Sequence, residues 1–207
     1  MLKLFHLPLS PFCRKIRIVL HEKGVKYDTV EEKVWQRRMD FLRINPACKV
    51  PVLKINDNYI IESNAIFEYI EEKFPSPNLL MGDIKEKAEI RRIVGWFDDK
   101  FHNEVTSNLL YEKINKKLSK SGQPDSINIK KGSGNIKFHL DYFDWLSEKR
   151  KWLAGNYMTI ADITAASHLS VLDYLGDVDW NRSEFLKNWY YKIKSRPSFR
   201  SILSDSI

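Results

Sequence analysis

Cysteine is nearly missing from this sequence, with only Cys13 and Cys48 in 207 residues. Two thiols cannot build a disulfide scaffold or complete a metal site alone, and such sparse usage suits a reducing compartment. Long apolar runs are missing too. No stretch free of Asp, Glu, Lys and Arg exceeds about ten residues, and a membrane-spanning helix needs roughly twenty. The opening Met1-Leu2-Lys3-Leu4-Phe5-His6 reads as a strand and lacks the apolar core of a signal peptide. Glycine and proline number eight each, too few for collagen or a low-complexity tract. These absences predict a soluble, globular, cytoplasmic protein.

Hydrophobic residues make up 43% of the chain and aromatics 13%, enough to bury the core of one large or two small domains. Lysine and arginine outnumber the acids by 34 to 27, a net charge of +7. A basic surface serves nucleic acid, anionic lipid, an acidic protein or a small anionic ligand. The lysines fall in scattered helical clusters such as Lys113, Lys116, Lys117 and Lys120. No recognition-helix, zinc or RNP-type motif accompanies them. A solvated face is the expectation, with no nucleic-acid and no membrane partner. His6, His21, His102, His139 and His168 show no ligand spacing, so no metal is expected.

Residues 2–6 alternate as a strand does. Ser10-Pro11 opens a helix, because Ser is a favoured N-cap and Pro fits the first helical position. Ile16, Val19 and Leu20 form its apolar stripe and Gly24 stops it. Next come a strand over 26–32, a short helix over 35–44 and a hairpin over 51–61 turning at 56–58. A helix capped by Ser63 and ending at Phe74-Pro75 completes a β-α-β-α-β-β-α order. Beyond the stiff link Pro75-Ser76-Pro77-Asn78 the pattern predicts helices only, over 83–117, 135–149, 159–175, 183–194 and 198–204. The Ser-, Gly- and Asn-rich segment 119–134 reads as an exposed loop, or as a loop running into the next helix. The fold class is α/β plus all-α, with domains over 1–76 and 83–207.

Four signals lie along this order: Ser10-Pro11-Phe12-Cys13; Asn45-Pro46-Ala47-Cys48-Lys49-Val50-Pro51-Val52-Leu53; Glu62-Ser63; and Gly155 followed by Thr159-Ile160-Ala161-Asp162. Together the sequence resembles the glutathione S-transferase superfamily over essentially its whole length. The resemblance implies a thioredoxin-like N-terminal domain, a C-terminal helical bundle and a homodimer. A narrower set comprises Glu32-Lys33-Val34-Trp35, Trp96-Phe97-Asp98-Asp99-Lys100-Phe101, Glu104-Val105-Thr106, Asp173 to Val178 and Lys194 to Arg200. It is similar to the FzlA family, bacterial cell-division proteins of this fold that bind the tubulin-like FtsZ without catalysis. Whether the protein is an enzyme stays open between these two.

As a transferase, the protein would bind glutathione as co-substrate and activate its thiol for attack on a small electrophile. A thiol of pKa about 8.5 needs about 2.7 kcal/mol of preferential thiolate stabilisation to drop two units. A hydroxyl and helix-terminal amides can supply it. Ser10 matches the catalytic serine, although Ser-Pro is also an ordinary N-cap. Val50-Pro51 matches the cis-proline whose preceding residue pairs with the cysteinyl unit. Glu62 and Ser63 match the γ-glutamyl subsite, and Arg37, Arg38 or Lys49 would meet the glycine carboxylate. Cys13 reads as a packed side chain, or else as a thiol open to a mixed disulfide. Cys48 stands where the family usually has glycine, and its side chain is expected to crowd the ligand or to force a glycine-like backbone. Thr159 and Asp162 read as a capping box. Trp96, Phe97, Phe101 and Leu109 read as core or dimer contact. On the FzlA-like reading the partner surface is Trp35, Arg37, Arg38 and Arg43 with the stretch Lys192 to Arg200.

Overall fold

The computed structural model describes residues 2–205, which form two compact units. Residues 1–78 and 196–207 make the first and residues 79–195 the second. The elements in chain order are β1 (Leu2–His6), α1 (Pro11–Glu22), β2 (Asp28–Glu31), a 3₁₀ turn (Val34–Gln36), α2 (Met39–Ile44), β3 (Val52–Ile55), β4 (Asn58–Ile61) and α3 (Ser63–Lys73). A continuous helical run over 84–119 follows as α4, then α5 (Ser126–Lys149), α6 (Ile160–Tyr174), α7 (Glu184–Lys194) and α8 (Pro197–Leu203), with a 3₁₀ turn at Trp180–Arg182 ahead of α7.

In the first unit the sheet order is β2-β1-β3-β4. β1 is parallel to β2 and antiparallel to β3, and β3 and β4 form the expected hairpin. This is the thioredoxin-like arrangement that the sequence leads one to expect. Leu4, Ile16, Val19, Leu20, Leu53, Ile66, Phe67 and Ile70 are buried, and helices α1 and α3 pack together. Phe5 and its cross-strand partner Val52 point to the other face of the sheet, where Phe41 of α2 meets them. Alternation along a strand supplies both faces from one short sequence.

The last helix does not belong to the helical half, as the boundary at 83–207 expected. It packs against α1, and side chains tie the two. Arg17 donates to both carboxylate oxygens of Asp205 at 2.9 and 2.8 Å, and Arg196 donates to Glu22 at 2.6 and 2.7 Å.

The second unit is all helix. Phe97 and Phe101 are fully buried, as are Leu109 and Phe143, and the Phe97 and Phe143 rings stack at 4.3 Å. Core is therefore the reading that holds for Phe97, Phe101 and Leu109, and none of them is exposed to form a dimer contact. Helix α4 winds as a π-helix over Trp96–Thr106 and again over Tyr111–Asn115. The capping box at the start of α6 is present. Thr159 Oγ1 accepts from Ala161 N–H at 3.3 Å and Asp162 Oδ2 accepts from Thr159 N–H at 3.0 Å. Burial pushes the Asp162 carboxyl up despite these donors.

The expected loop over 119–134 is mostly helix. α5 begins at Ser126, capped by Asp125, whose Oδ1 accepts from Ile127 N–H at 2.8 Å. Glu112 fixes the short turn ahead of it by accepting from Asp125 N–H at 2.8 Å and from Asn128 Nδ2 at 2.9 Å. Gly132 lies against α4, where an added Cβ would come within 2.9 Å of Leu109 Cγ. A glycine that reads as a loop marker is a close-approach position.

Candidate functional site

Strand register places the candidate residues at one end of the first unit's sheet. His6 pairs with Glu31, Phe5 with Val52 and Val52 with Ile61. The exits of β1, β2 and β4 and the entry to β3 therefore share an edge. Ser10 follows β1, Arg37 and Arg38 follow β2, Lys49-Val50-Pro51 precede β3, and Glu62-Ser63 follow β4. Loops beyond the carboxyl ends of such strands are where this architecture holds ligands.

Ser10 is the N-cap of α1, half-buried, with Pro11 at the first helical position. Its Oγ accepts from Cys13 N–H at 3.3 Å, and the Ser10 side chain also hydrogen-bonds the Cys13 thiol, so donation to a bound thiolate requires the hydroxyl to turn. The cap and the donor readings are compatible, since one uses a lone pair and the other the O–H. Cys13 is fully buried. Its Sγ accepts from Leu7 N–H at 3.5 Å, and burial pushes its thiol up to about 11. A protonated thiol without access is a packing group, so the mixed-disulfide alternative has no support here.

The Val50–Pro51 peptide bond is cis, as is Ser76–Pro77. Asn45, itself buried, shapes the loop before it. Its Nδ2 donates to Lys49 O at 2.8 Å and its Oδ1 accepts from Ala47 N–H at 3.1 Å. Cys48 adopts φ +53°, the left-handed backbone that glycine adopts freely. Crowding of the ligand does not follow, however. The side chain turns inward against Phe41 and Val52, and Sγ donates to Val34 O at 3.3 Å. The cost of the substitution falls on the backbone.

Glu62 has φ +70° and ψ +125°, a region that a side chain rarely occupies and that concentrates at ligand clamps. It is the N-cap of α3, yet no side chain caps that helix. The expectation that Ser63 caps it is corrected, because Ser63 is the first helical residue. The amides of Ser63, Asn64 and Ala65 have no acceptor within the helix, since they belong to its first turn, and the N-cap side chain does not serve them. Below them Lys15 of α1, fully buried, donates from Nζ to Asn64 Oδ1 at 3.0 Å.

The cations separate cleanly. Arg38 is committed to Glu32, a carboxylate 1% exposed, at 2.6 Å. Arg37 is exposed on a left-handed residue at φ +46°, and Lys49 is exposed. The Glu32–Arg38 clamp, the Asn45 brace and the Lys15–Asn64 bond were missed in the sequence. Asn-Pro at 45–46 was the one local signal available, since Asn side chains that bond the backbone two residues on build turns.

Residues 4–78 match the glutathione S-transferase N-terminal domain family. The chain is 44% identical to FtsZ-localized protein A of Caulobacter vibrioides over 98% of this chain and 90% of that protein. Among solved structures it is similar to a glutathione S-transferase from Rhodospirillum rubrum F11, with 48% identity, a TM-score of 0.97 and coverage of 100% of this chain and 94% of the other. It is also similar to FzlA from C. crescentus, with 42% identity, a TM-score of 0.96 and coverage of 100% and 93%. The sheet order, the two-unit organisation and these matches agree that the chain belongs to the glutathione S-transferase superfamily.

Proposed function

We propose that the protein binds glutathione at the shared sheet edge and lowers the pKa of its thiol for transfer to a small electrophile. The observation that carries this reading is the uncapped start of α3. Three amides without an acceptor in the helix and the positive end of the helix dipole suit the γ-glutamyl carboxylate. Glu62, exposed beside them, suits the ammonium of the same residue. The Val50 main chain suits the cysteinyl unit, Ser10 O–H the sulfur, and Arg37 and Lys49 the glycine carboxylate. The protein works in the cytoplasm on this reading, as a homodimer in which one patch serves both partners. Calorimetric titration with glutathione tests it. Saturable binding at millimolar or tighter affinity is expected, and an absence of heat up to about 10 mM overturns it.

A second reading is favoured by the 44% identity to FtsZ-localized protein A. On it the chain associates with FtsZ through cations outside the glutathione subsites. In the C-terminal stretch Lys194 pairs with Asp173 at 2.7 Å and Arg196 with Glu22 at 2.6 Å, while Lys192 and Arg200 are exposed. Outside those subsites stand Trp35 and Arg43, whose side chain is 78% exposed and lies 3.7 Å from Asp40. Co-sedimentation with FtsZ polymers at two salt concentrations separates the readings. Salt-weakened pelleting that survives Ser10→Ala and is lost in Arg43→Glu supports association. No pelleting at low salt refutes it.

A further inference from the structure

The π-helical stretch of α4 carries Trp96, Lys100 and Glu104, residues the proposed function does not use. All three converge on His139 of α5. Its ring is buried and makes two hydrogen bonds on opposite edges. Trp96 Nε1 lies 3.1 Å from His139 Nδ1, and Glu104 Oε2 lies 2.9 Å from His139 Nε2. Glu104 also takes the Lys100 ammonium. The chemistry of the partners fixes the tautomer. An indole N–H only donates, so Nδ1 presents its lone pair and Nε2 carries the proton toward the carboxylate.

Trp96 is at the same time the inner member of an aromatic row on the surface of the second unit. Its ring lies 4.6 Å from Tyr142, which stacks with Trp145 at 6.3 Å. Trp145 and neighbouring Phe138 are about half exposed. Cations line the row: Lys100 over Trp96, Arg92 over Tyr142 and Lys149 over Trp145.

We propose that His139 is a proton-operated clasp that holds Trp96 in this row when neutral and releases it when protonated. In the imidazolium both ring nitrogens carry protons. Nδ1–H then faces the indole N–H at hydrogen-bonding distance, a donor against a donor. The opposite bond becomes charge-assisted and strengthens, so the ring stays with Glu104 and the indole is the partner that moves. The charged groups facing His139 are Glu104 and Lys100 of α4. Its remaining neighbours are the rings of Trp96, Phe101, Phe138 and Phe143, with His168 of α6 beyond Phe101. Burial lowers the His139 pKa and outweighs the Glu104 contribution that raises it, so release falls below the ordinary histidine range.

The test follows the Trp96 indole N–H resonance, assigned by its loss in Trp96→Phe, from pH 7.5 to 4.5. A reversible change with a midpoint below 6.5 is expected in the unmodified protein. That titration disappears in His139→Gln, whose amide does not titrate. A second variant, Glu104→Gln, keeps an acceptor but removes the charge that favours imidazolium, so its midpoint moves to lower pH. An indole signal constant over the whole range overturns the clasp. So does a titration that persists in His139→Gln, or a midpoint unmoved in Glu104→Gln.

Discussion

Gly132 and Gly134 lie two residues apart in α5, and the same substitution is expected to have opposite effects at them. Replacing a helix-interior glycine by alanine removes unfolded-chain freedom and stabilises by about 0.5–1 kcal/mol where nothing else changes. At Gly134 nothing else changes, because an added Cβ meets no atom within 4 Å. At Gly132 the Cβ falls 2.9 Å from Leu109 Cγ, 3.1 Å from Leu109 Cδ2 and 3.1 Å from Asn108 Cβ. Leu109 is fully buried, so it retreats only by pushing its own neighbours. Overpacking of this kind costs about 1–3 kcal/mol. Gly134→Ala should therefore stabilise by up to about 1 kcal/mol, and Gly132→Ala should destabilise by up to about 2 kcal/mol. Urea unfolding at an unchanged m-value reads the difference as opposite displacements of the midpoint. Equal stabilisation by both variants would refute the close approach of α4 and α5 at Leu109.

On the proposed glutathione reading, Ser10→Ala removes one charge-assisted donor to the thiolate, which should lower turnover roughly ten- to a hundredfold and stability by about 1 kcal/mol. Unchanged turnover in a steady-state conjugation assay removes Ser10 from that role. Acid should destabilise the first unit early. Burial and then the Arg17 charge hold His6 down to about 4, so between pH 4 and 6.5 it is neutral when folded and protonated when unfolded. That contribution is complete above pH 6.5 and is lost between 6.5 and 4, amounting to at most about 3 kcal/mol before solvent screening. His6→Gln should flatten thermal stability over that window, and an unaltered pH slope contradicts the assignment. Cys48→Gly relieves a left-handed residue but loses a buried thiol and adds unfolded-state freedom. A net loss of about 1 kcal/mol is expected, with glutathione affinity within twofold of the parent by calorimetry.

The elements whose signals are local were legible in the sequence. Ser10-Pro11 reads as a helix start because cap and proline act within one turn, and Thr159 to Asp162 reads as a capping box for the same reason. The hairpin over 52–61 follows from alternation and its turn residues. Segment 119–134 was misread because glycine and serine carry the same local signal in a loop as at a helix crossing, and only the position of Leu109 distinguishes them. The end of the chain was misassigned because Asp205 and Glu22 find their arginines across 188 and 174 residues, a distance at which periodicity is silent. At the candidate site, residue types were readable but commitments were not. Nothing in the sequence tells Arg38, held by Glu32, from its neighbour Arg37, nor shows that the Cys48 side chain faces the core.

The return of the last helix to α1 reverses the order in which the protein can mature during synthesis. Residues 79–195 are contiguous, so the second unit has its whole core once they have left the ribosome. The first unit begins to emerge earlier but waits longer. Arg17 is 7% exposed, and until Asp205 appears its guanidinium lacks the carboxylate that neutralises it. The segment that carries Asp205 also brings the Ser201 carbonyl, which accepts from the same guanidinium at 2.5 Å, so cover and counter-charge arrive together. The unit that gathers Ser10, Pro51 and Glu62 is therefore complete only after the helix over 197–203 has joined it. A chain cut between residues 195 and 205 would carry the whole helical unit beside a sheet unit that lacks its last described helix.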